Sequence, residues 1–276
     1  TNMKEPFSFV LFGAAGDLAA RKIWPALYYL YQEQVISREI TIIGNSRTER
    51  SDEEFRQIVY SDLEKFFGKV DLPVWHHLEK GIFFVPGDAN DPKTIKTIEN
   101  KLNTLEKEGL PTQNRLYYMA IIPEIYEAVL ENLGKAVREK RPGHGWNRVM
   151  IEKPFGTDFE SAVRLNKLIK RYFNEDDVYR MDHFLGKETV QNIMAFRFAN
   201  GLFEPIWNKD FIDNIQISSL ESQGIDGREI FYDHTGAIRD VVQNHVLQIL
   251  AVTLMDIPKS LESHDIKSKS MEIFKN

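Results

Sequence analysis

The chain of 276 residues contains no cysteine. This excludes disulfide bonds and thiolate zinc sites, and it suits a reducing compartment. No apolar run approaches the roughly 18–20 residues that a membrane helix needs, and residues 1–4 lack the apolar core of a signal peptide. Basic charge is not in excess either: the formal net charge is -6, which gives no electrostatic case for nucleic acid as a partner. We therefore expect a cytoplasmic protein with neither membrane nor nucleic-acid partners.

Apolar residues make up 42% of the chain, enough for a sizeable core, and the length favours two domains. Short apolar runs predict strands at residues 7–12, 39–44, 81–85, 115–120, 148–152 and 178–181. Helical apolar spacing lies between them at residues 18–34, 53–67, 92–108, 124–138 and 158–173, and Pro25 must kink or restart the first of these helices. Alternation of strands and helices predicts an α/β fold with a mainly parallel, doubly wound sheet.

The pattern changes after about residue 180. Residues 187–203 resemble a helix, and residues 237–254 form a long apolar helix candidate. Residues 214–220 alternate apolar and polar side chains, which is typical of a strand with one solvated face. We therefore expect one domain over residues 1–180 and a second over residues 181–276.

A glycine loop follows the first predicted strand. Gly13 and Gly16 allow a tight turn and a close approach of the backbone to a pyrophosphate, at which the next helix directs its positive N-terminal end. Many strand-to-helix turns carry two glycines for turn geometry only. The position of this loop in the first βαβ unit favours dinucleotide binding.

The end of the second strand distinguishes NAD from NADP. NAD sites usually place a carboxylate there for the ribose 2′-hydroxyl, whereas a cation suits the 2′-phosphate of NADP. Arg47 follows this strand and no acid accompanies it. A solvated surface arginine is the alternative, but the residue favours NADP.

Residues 182–188 read Asp-His-Phe-Leu-Gly-Lys-Glu. On one helical turn, His183 and Lys187 would face the same way and could hold a phosphate dianion between two cations. A solvated pair of side chains explains the same spacing.

A second candidate imidazole, His245, precedes the apolar run of residues 246–250. A lone histidine there is more often a satisfied core residue than a catalytic base. The carboxylates of Asp182 and Asp240 favour the base, since a carboxylate orients an imidazole and stabilises its charged form. His76 and His77 do not predict a metal site, because adjacent side chains diverge.

Lys153 ends the fifth predicted strand. The carboxyl ends of strands line the ligand crevice of a doubly wound sheet, so Lys153 could contact both cofactor and substrate. A solvent-exposed lysine is the alternative. Pro154 is a candidate cis residue, although sequence does not show the isomer.

Together these segments resemble the glucose-6-phosphate dehydrogenase family. The resembling motifs are the glycine loop from residue 13 to residue 22, Glu-Lys-Pro-Phe-Gly at residues 152–156, residues 180–188, and residues 239–245. Their order and spacing match over essentially the whole chain. The Asp-His-aromatic-Leu-Gly-Lys-Glu run is the most specific of them.

The resemblance implies a Rossmann-type NADP-binding domain followed by the beginning of an α+β domain with a mainly antiparallel sheet. It also implies oxidation of glucose 6-phosphate at C1 to 6-phosphogluconolactone, the first step of the oxidative pentose phosphate pathway, in a homo-oligomer. His245 would take the C1 hydroxyl proton and Asp182 would orient it. The implied substrate ligands are Lys153, His183, Lys187, Glu221 and Asp240. The implied cofactor ligands are Gly13, Gly16, Asp17, Leu18, Lys22, Arg47 and Lys153.

Three features depart from the family pattern. Phe184 stands where a tyrosine usually helps to hold the phosphate, and Ala15 stands where many members carry a polar side chain. The chain also ends at Asn276, roughly halfway through a typical member. Two other hypotheses therefore stay open: a module that binds NADP and sugar phosphate without turnover, and an oxidoreductase acting on another sugar or sugar phosphate.

Overall fold

Six short segments form one parallel sheet. Their pairing order is β3-β2-β1-β4-β5-β6. This order is that of a doubly wound Rossmann-type sheet, in which the order of strand addition reverses between β1 and β4. The parallel α/β architecture predicted from sequence is therefore confirmed. The strands are β1 (Phe7–Phe12), β2 (Ile40–Ser46), β3 (Ile82–Pro86), β4 (Arg115–Met119), β5 (Asn147–Glu152) and β6 (Val178–Met181).

The structure is a computed structural model. It describes residues 4–138, 145–156, 158–182, 186, 188–220, 232–233 and 236–275. Contacts between Cα atoms divide the chain into two compact units, Thr1–Met181 and Asp182–Asn276. Within the described residues, no helix is both long enough and apolar enough to span a membrane.

Helices cover both faces of the sheet in the first unit. One apolar cluster packs the first three helices against one face, and a second cluster packs the next three against the other. Every residue of β1 and β4 is buried, as expected for strands covered on both sides. The helices are α1 (Trp24–Gln32), α2 (Asp52–Phe66), α3 (Leu72–Leu78), α4 (Pro92–Lys107), α5 (Tyr126–Arg138) and α6 (Phe159–Tyr172).

The first of these helices changes its hydrogen-bonding pattern next to Pro25, where a kink or restart was predicted, whereas the short helix α3 was not predicted. The helix expected from residue 18 begins as a π-helical segment, Ala19–Ile23, and continues as α1 with Pro25 in the first turn of α1. The short helix α3 was not predicted, because seven residues give too little periodicity. It is defined instead by its cap, where the Asp71 side chain accepts a hydrogen bond from the Val74 amide.

The second unit is helical wherever it forms regular structure within the described residues. It contains α7 (Glu188–Phe198), a π-helical segment (Ile238–Val246), α8 (Leu247–Leu254) and α9 (Ser263–Ile273). Residues 214–220, predicted to be a strand, are irregular and mostly exposed. A strand needs a neighbour for its backbone hydrogen bonds, and the described part of this unit supplies none. The α/β part of the predicted fold class is thus present, while the antiparallel sheet is not seen in the described residues.

Candidate active site

The glycine loop after β1 is fixed between the neighbouring strands. The amides of Gly13 and Ala14 both donate to the Asn45 carbonyl at the end of β2, at 3.0 and 2.9 Å. Gly13 has φ of 77°, and a Cβ built on it would lie 2.0 Å from the Ala120 carbonyl oxygen, just beyond β4. Only glycine fits this position, because a side chain would meet both a strained backbone and a fixed oxygen.

The outer side of the loop is open. Gly16 donates to the Gly13 carbonyl at 2.9 Å, and a Cβ built on Gly16 would meet only that same oxygen, at 3.1 Å. A ligand can therefore approach the backbone closely here. The side chains of Asp17, Leu18 and Lys22 are exposed along the start of the following helix, whose first amides have no partner within the helix.

The charge of the loop is mixed. Asp17 forms an exposed ion pair with Arg21 at 2.5 Å, so this acid already has a cation beside it. Lys22 adds a second basic side chain to the same turn. The helix N-terminus contributes a further partial positive charge, so the loop has the character of an anion site.

Arg47 follows β2 directly, at the carboxyl edge of the sheet, and its side chain is exposed. Arg50 donates to the Ser46 hydroxyl at 3.2 Å, which places a second guanidinium beside the strand end. No ion pair of Arg47 is found among the described residues. Arg47 is thus exposed at the carboxyl edge of the sheet, and its role toward an anionic ligand stays a prediction.

Lys153 follows β5 at the same edge of the sheet, between a hydrogen-bonded glutamate and a cis-proline. The preceding Glu152 accepts a hydrogen bond from the hydroxyl of Tyr118 on β4. Burial, together with this carboxylate, raises the pKa of Tyr118 well above its usual value, so the hydroxyl stays protonated as the donor. The Lys153–Pro154 peptide bond is cis, and Lys153 is half-buried.

In the second unit, Asp182 and His245 are in direct contact. Asp182 Oδ1 lies 3.0 Å from His245 Nδ1, and the two side chains are 14% and 3% exposed. An ionised carboxylate only accepts hydrogen bonds, so Nδ1 carries the proton and Nε2 is left as the basic nitrogen. This arrangement can remove a proton from a hydroxyl group.

His245 and Asp240 both belong to the π-helical segment Ile238–Val246, and Asp240 is half-buried. The Leu247 amide bonds to the Val242 carbonyl, the i to i−5 pattern of a π-helix. Such segments are rare and often lie at functional sites. Three of the predicted substrate ligands, His183, Lys187 and Glu221, and also Phe184, lie outside the described residues.

Two polar contacts were missed in reading the sequence. One is the bond from Tyr118 to Glu152. The other is the buried Arg197, which contacts three backbone carbonyls. Each contact involves a polar residue that stands out in the sequence: a glutamate at the end of a buried strand, and an arginine between Phe196 and Phe198. The sequence does not indicate the partner of either residue, because that partner lies far away in the chain.

A parallel sheet of this order, with a glycine loop at the point where the order reverses, defines a Rossmann-type dinucleotide-binding protein. The chain belongs to the glucose-6-phosphate dehydrogenase family. The family model for "Glucose-6-phosphate dehydrogenase, NAD binding domain" matches residues 10–192, and the model for the C-terminal domain matches residues 194–276.

Individual relatives agree with this assignment. The glucose-6-phosphate 1-dehydrogenase of Chlamydia muridarum is 38% identical over 275 residues, which cover 98% of this chain and 54% of the relative. That of Bacillus subtilis is 38% identical over 276 residues and is covered to 55% of its length. The chain therefore spans about half the length of the curated relatives that it matches.

Solved structures give the same result. A glucose-6-phosphate dehydrogenase in complex with its substrate glucose 6-phosphate superposes with a TM-score of 0.89 at 32% identity, covering 100% of this chain and 56% of that one. The crystal structure of glucose-6-phosphate 1-dehydrogenase from Mycobacterium avium gives 0.84 at 33% identity, covering 98% and 57%.

Proposed function

We propose that this chain carries the reacting residues of an NADP-dependent dehydrogenase that oxidises D-glucose 6-phosphate at C1 to 6-phosphogluconolactone. The observation that carries the proposal is the buried contact between Asp182 Oδ1 and His245 Nδ1, at 3.0 Å, in a chain of this family. A carboxylate that orients a buried imidazole is the usual arrangement of a general base.

In the proposed reaction, His245 Nε2 accepts the proton of the C1 hydroxyl while the C1–H bond breaks with its electron pair. C1 thereby becomes a carbonyl carbon, and the sugar loses one proton and one hydride. Asp182 holds the imidazole in the reactive orientation and stabilises the imidazolium that forms. A positioned base of this kind contributes about 10²–10⁴-fold to the rate.

NADP, when bound, supplies the nicotinamide ring that accepts the hydride. The chain's residues fit this cofactor: the open face of Gly16 admits a pyrophosphate to the backbone, and the exposed Lys22 provides a charge beside it. Gly13 shapes the turn, while Asp17 and Leu18 would lie beside the phosphates of the bound cofactor. Arg47 would bind the 2′-phosphate, since it is exposed at the end of β2 and has no ion pair among the described residues.

The sugar would be held by residues from several segments. Lys153 and Asp240 are proposed ligands of the glucose hydroxyls, together with Glu221. Lys153 also serves the cofactor, as its place at a strand end suggests. His183 and Lys187 are proposed to bind the 6-phosphate, where two cations would match a dianion.

The wider organisation follows the family in this proposal. Residues 1–180 form the cofactor domain, and residues 181–276 begin an α+β domain whose sheet is mainly antiparallel. We also propose that the protein acts as a homo-oligomer in the cytoplasm. The family membership and the intact contact between Asp182 and His245 favour turnover over a module that only binds ligands.

The test replaces the base in the native polypeptide that carries this sequence. We expect His245→Ala to lower kcat by roughly 10²–10⁴-fold with little change in KM, because the lost group acts mainly in the transition state. NADPH absorbance, with glucose 6-phosphate as substrate, measures the rate. His264→Ala is a matched control, since His264 is 91% exposed. Near-normal turnover by the His245 variant would remove it as the base.

A further inference from the structure

Arg197, near the end of α7, is buried to 2% exposure, and both of its terminal nitrogens make polar contacts. Its Nη1 donates to the carbonyl oxygens of Val252, Thr253 and Met255 at 3.1, 2.8 and 2.9 Å. We call Arg197 and these three oxygens the carbonyl clamp. The carbonyls of Val252 and Thr253 belong to the last turn of α8, and that of Met255 follows directly.

The clamp is reinforced by two neighbours. Glu204 Oε1 lies 3.0 Å from Arg197 Nη2 and balances its charge. The Trp207 ring lies 5.2 Å from the guanidinium carbon, and its indole N–H donates to the Thr253 carbonyl at 2.9 Å. Helix C-termini carry partial negative charge and unpaired carbonyls, so a buried cation there stabilises the helix end.

Arginine is suited to this position for a chemical reason. Its planar guanidinium carries five N–H donors in a fixed geometry, so one side chain reaches several carbonyls and a carboxylate at once. A lysine has its donors on a single nitrogen and is more strongly hydrated, so its burial among the same groups would leave contacts unmade.

The clamp acts on the helix that continues from His245. The π-helical segment ending at Val246 runs directly into α8, so His245 and the clamped carbonyls belong to one continuous helix. Asp182 precedes α7, and α7 carries Arg197. The part of the chain from Asp182 to Arg197 therefore contacts the helix of residues 238–254 at two places. Asp182 contacts His245, and Arg197 binds the carbonyls at the end of α8.

We propose that Arg197 is a positioning residue for His245. By fixing the carboxyl end of α8, it sets the axial position and rotation of the helix on which the imidazole meets Asp182. This inference rests on the proposed role of His245 as the base. A displacement of about 1 Å at a reacting group can cost 10²-fold in rate. Loss of the clamp is therefore expected to lower turnover, although Arg197 is not proposed to contact the substrate.

Two variants test this proposal in the native polypeptide. Arg197→Lys keeps the charge but not the donor geometry. The double variant Arg197→Met with Glu204→Leu removes both charges, which avoids leaving a buried carboxylate unpaired. We expect kcat to fall about 10- to 100-fold in the double variant and less in the lysine variant, with KM for glucose 6-phosphate and NADP changed less than about threefold.

A second readout separates positioning from general stability. Amide hydrogen exchange of the peptide covering residues 238–246 should be faster in both variants, at a temperature where each is fully folded. Arg56→Lys is the matched control, since Arg56 also donates to a backbone carbonyl, that of Ile82 at 2.9 Å, but lies on α2. That variant should keep both kcat and the exchange rate.

Wild-type kcat in the double variant would overturn the proposal, as would a lowered unfolding midpoint with kcat and exchange unchanged. If the double variant fails to fold, wild-type kcat and exchange in Arg197→Lys overturn it instead. The His245→Ala result separates the two proposals. If that variant keeps its turnover, the base assignment fails; if it loses turnover while the Arg197 variants do not, only the positioning role fails.

Discussion

Replacement of Asp182 by asparagine tests the proposed base most directly. The two side chains are nearly isosteric, so the change removes a charge and reverses one hydrogen bond without creating a cavity. In the native chain, His245 Nδ1 lies 3.0 Å from Asp182 Oδ1, and an ionised carboxylate there can only accept a hydrogen bond from the imidazole. An asparagine amide can instead donate to Nδ1, which favours the tautomer with its proton on Nε2. That tautomer has no basic electron pair on Nε2, the nitrogen proposed to accept the substrate proton.

The expected loss has two parts. His245 is 3% exposed and Asp182 14%, so solvent screens this contact little. A hydrogen bond to a charged group contributes about 1.5–3 kcal/mol, which corresponds to roughly 10- to 150-fold in rate at 1.36 kcal/mol per tenfold. The unfavourable tautomer adds to this loss, so we expect kcat to fall by about 10²–10⁴-fold.

The assay is steady-state formation of NADPH by Asp182→Asn in the native polypeptide, with KM measured for both substrates. KM should change little, because the contact acts on the base and not on the bound sugar. A matched control is Asp265→Asn. The carboxylate of Asp265 also accepts a hydrogen bond, from Ser260, but lies on the protein surface. Turnover within twofold of the wild type in Asp182→Asn would refute the orienting role of Asp182.

Two further predictions concern the cofactor domain. Arg47→Ala should weaken the binding of NADP by about 10- to 150-fold, the equivalent of one charge-assisted contact, while the affinity for NAD changes little. Titration calorimetry measures both affinities. Equal losses of affinity for the two cofactors would contradict the 2′-phosphate assignment. Gly13→Ala should lower the free energy of unfolding by more than Gly68→Ala, because both residues have positive φ but only Gly13 faces a fixed oxygen. Denaturant unfolding compares them, and equal losses would mean that the loop relaxes around the new side chain.

Much of the first unit could be predicted because its signals are local. A strand covered on both faces needs a mostly apolar run, and β1 and β4 show one in the sequence, interrupted only by Ser8 and by Arg115 at the start of β4. Helix α2 is capped by Ser51, whose hydroxyl accepts a hydrogen bond from the Glu54 amide, and this is again a contact within one turn. The short α3 was missed because its stability comes from packing onto the first apolar cluster rather than from its own pattern.

Prediction was weaker in the second unit, where neighbours in space decide the structure. Residues 214–220 carry the alternation of a strand, but the described residues offer them no partner, and alternation alone does not form hydrogen bonds. Residues 237–254 have the apolar spacing of one helix, which the structure divides into a π-helical segment and α8. A π-helix differs from an α-helix by one residue in the span of each hydrogen bond, and this change in periodicity is too small to detect in a short sequence.

The sequence by itself determined the order of strands and helices, the glycine loop, and the arginine without an acid at the end of β2. These follow from the chemistry of neighbouring residues, which is the same in any fold. Only the tertiary structure decided that Asp182 meets His245, 63 positions away, and that Arg197 holds the end of the helix carrying that histidine. Such contacts depend on how distant segments pack, because the fold alone brings their side chains within hydrogen-bonding distance.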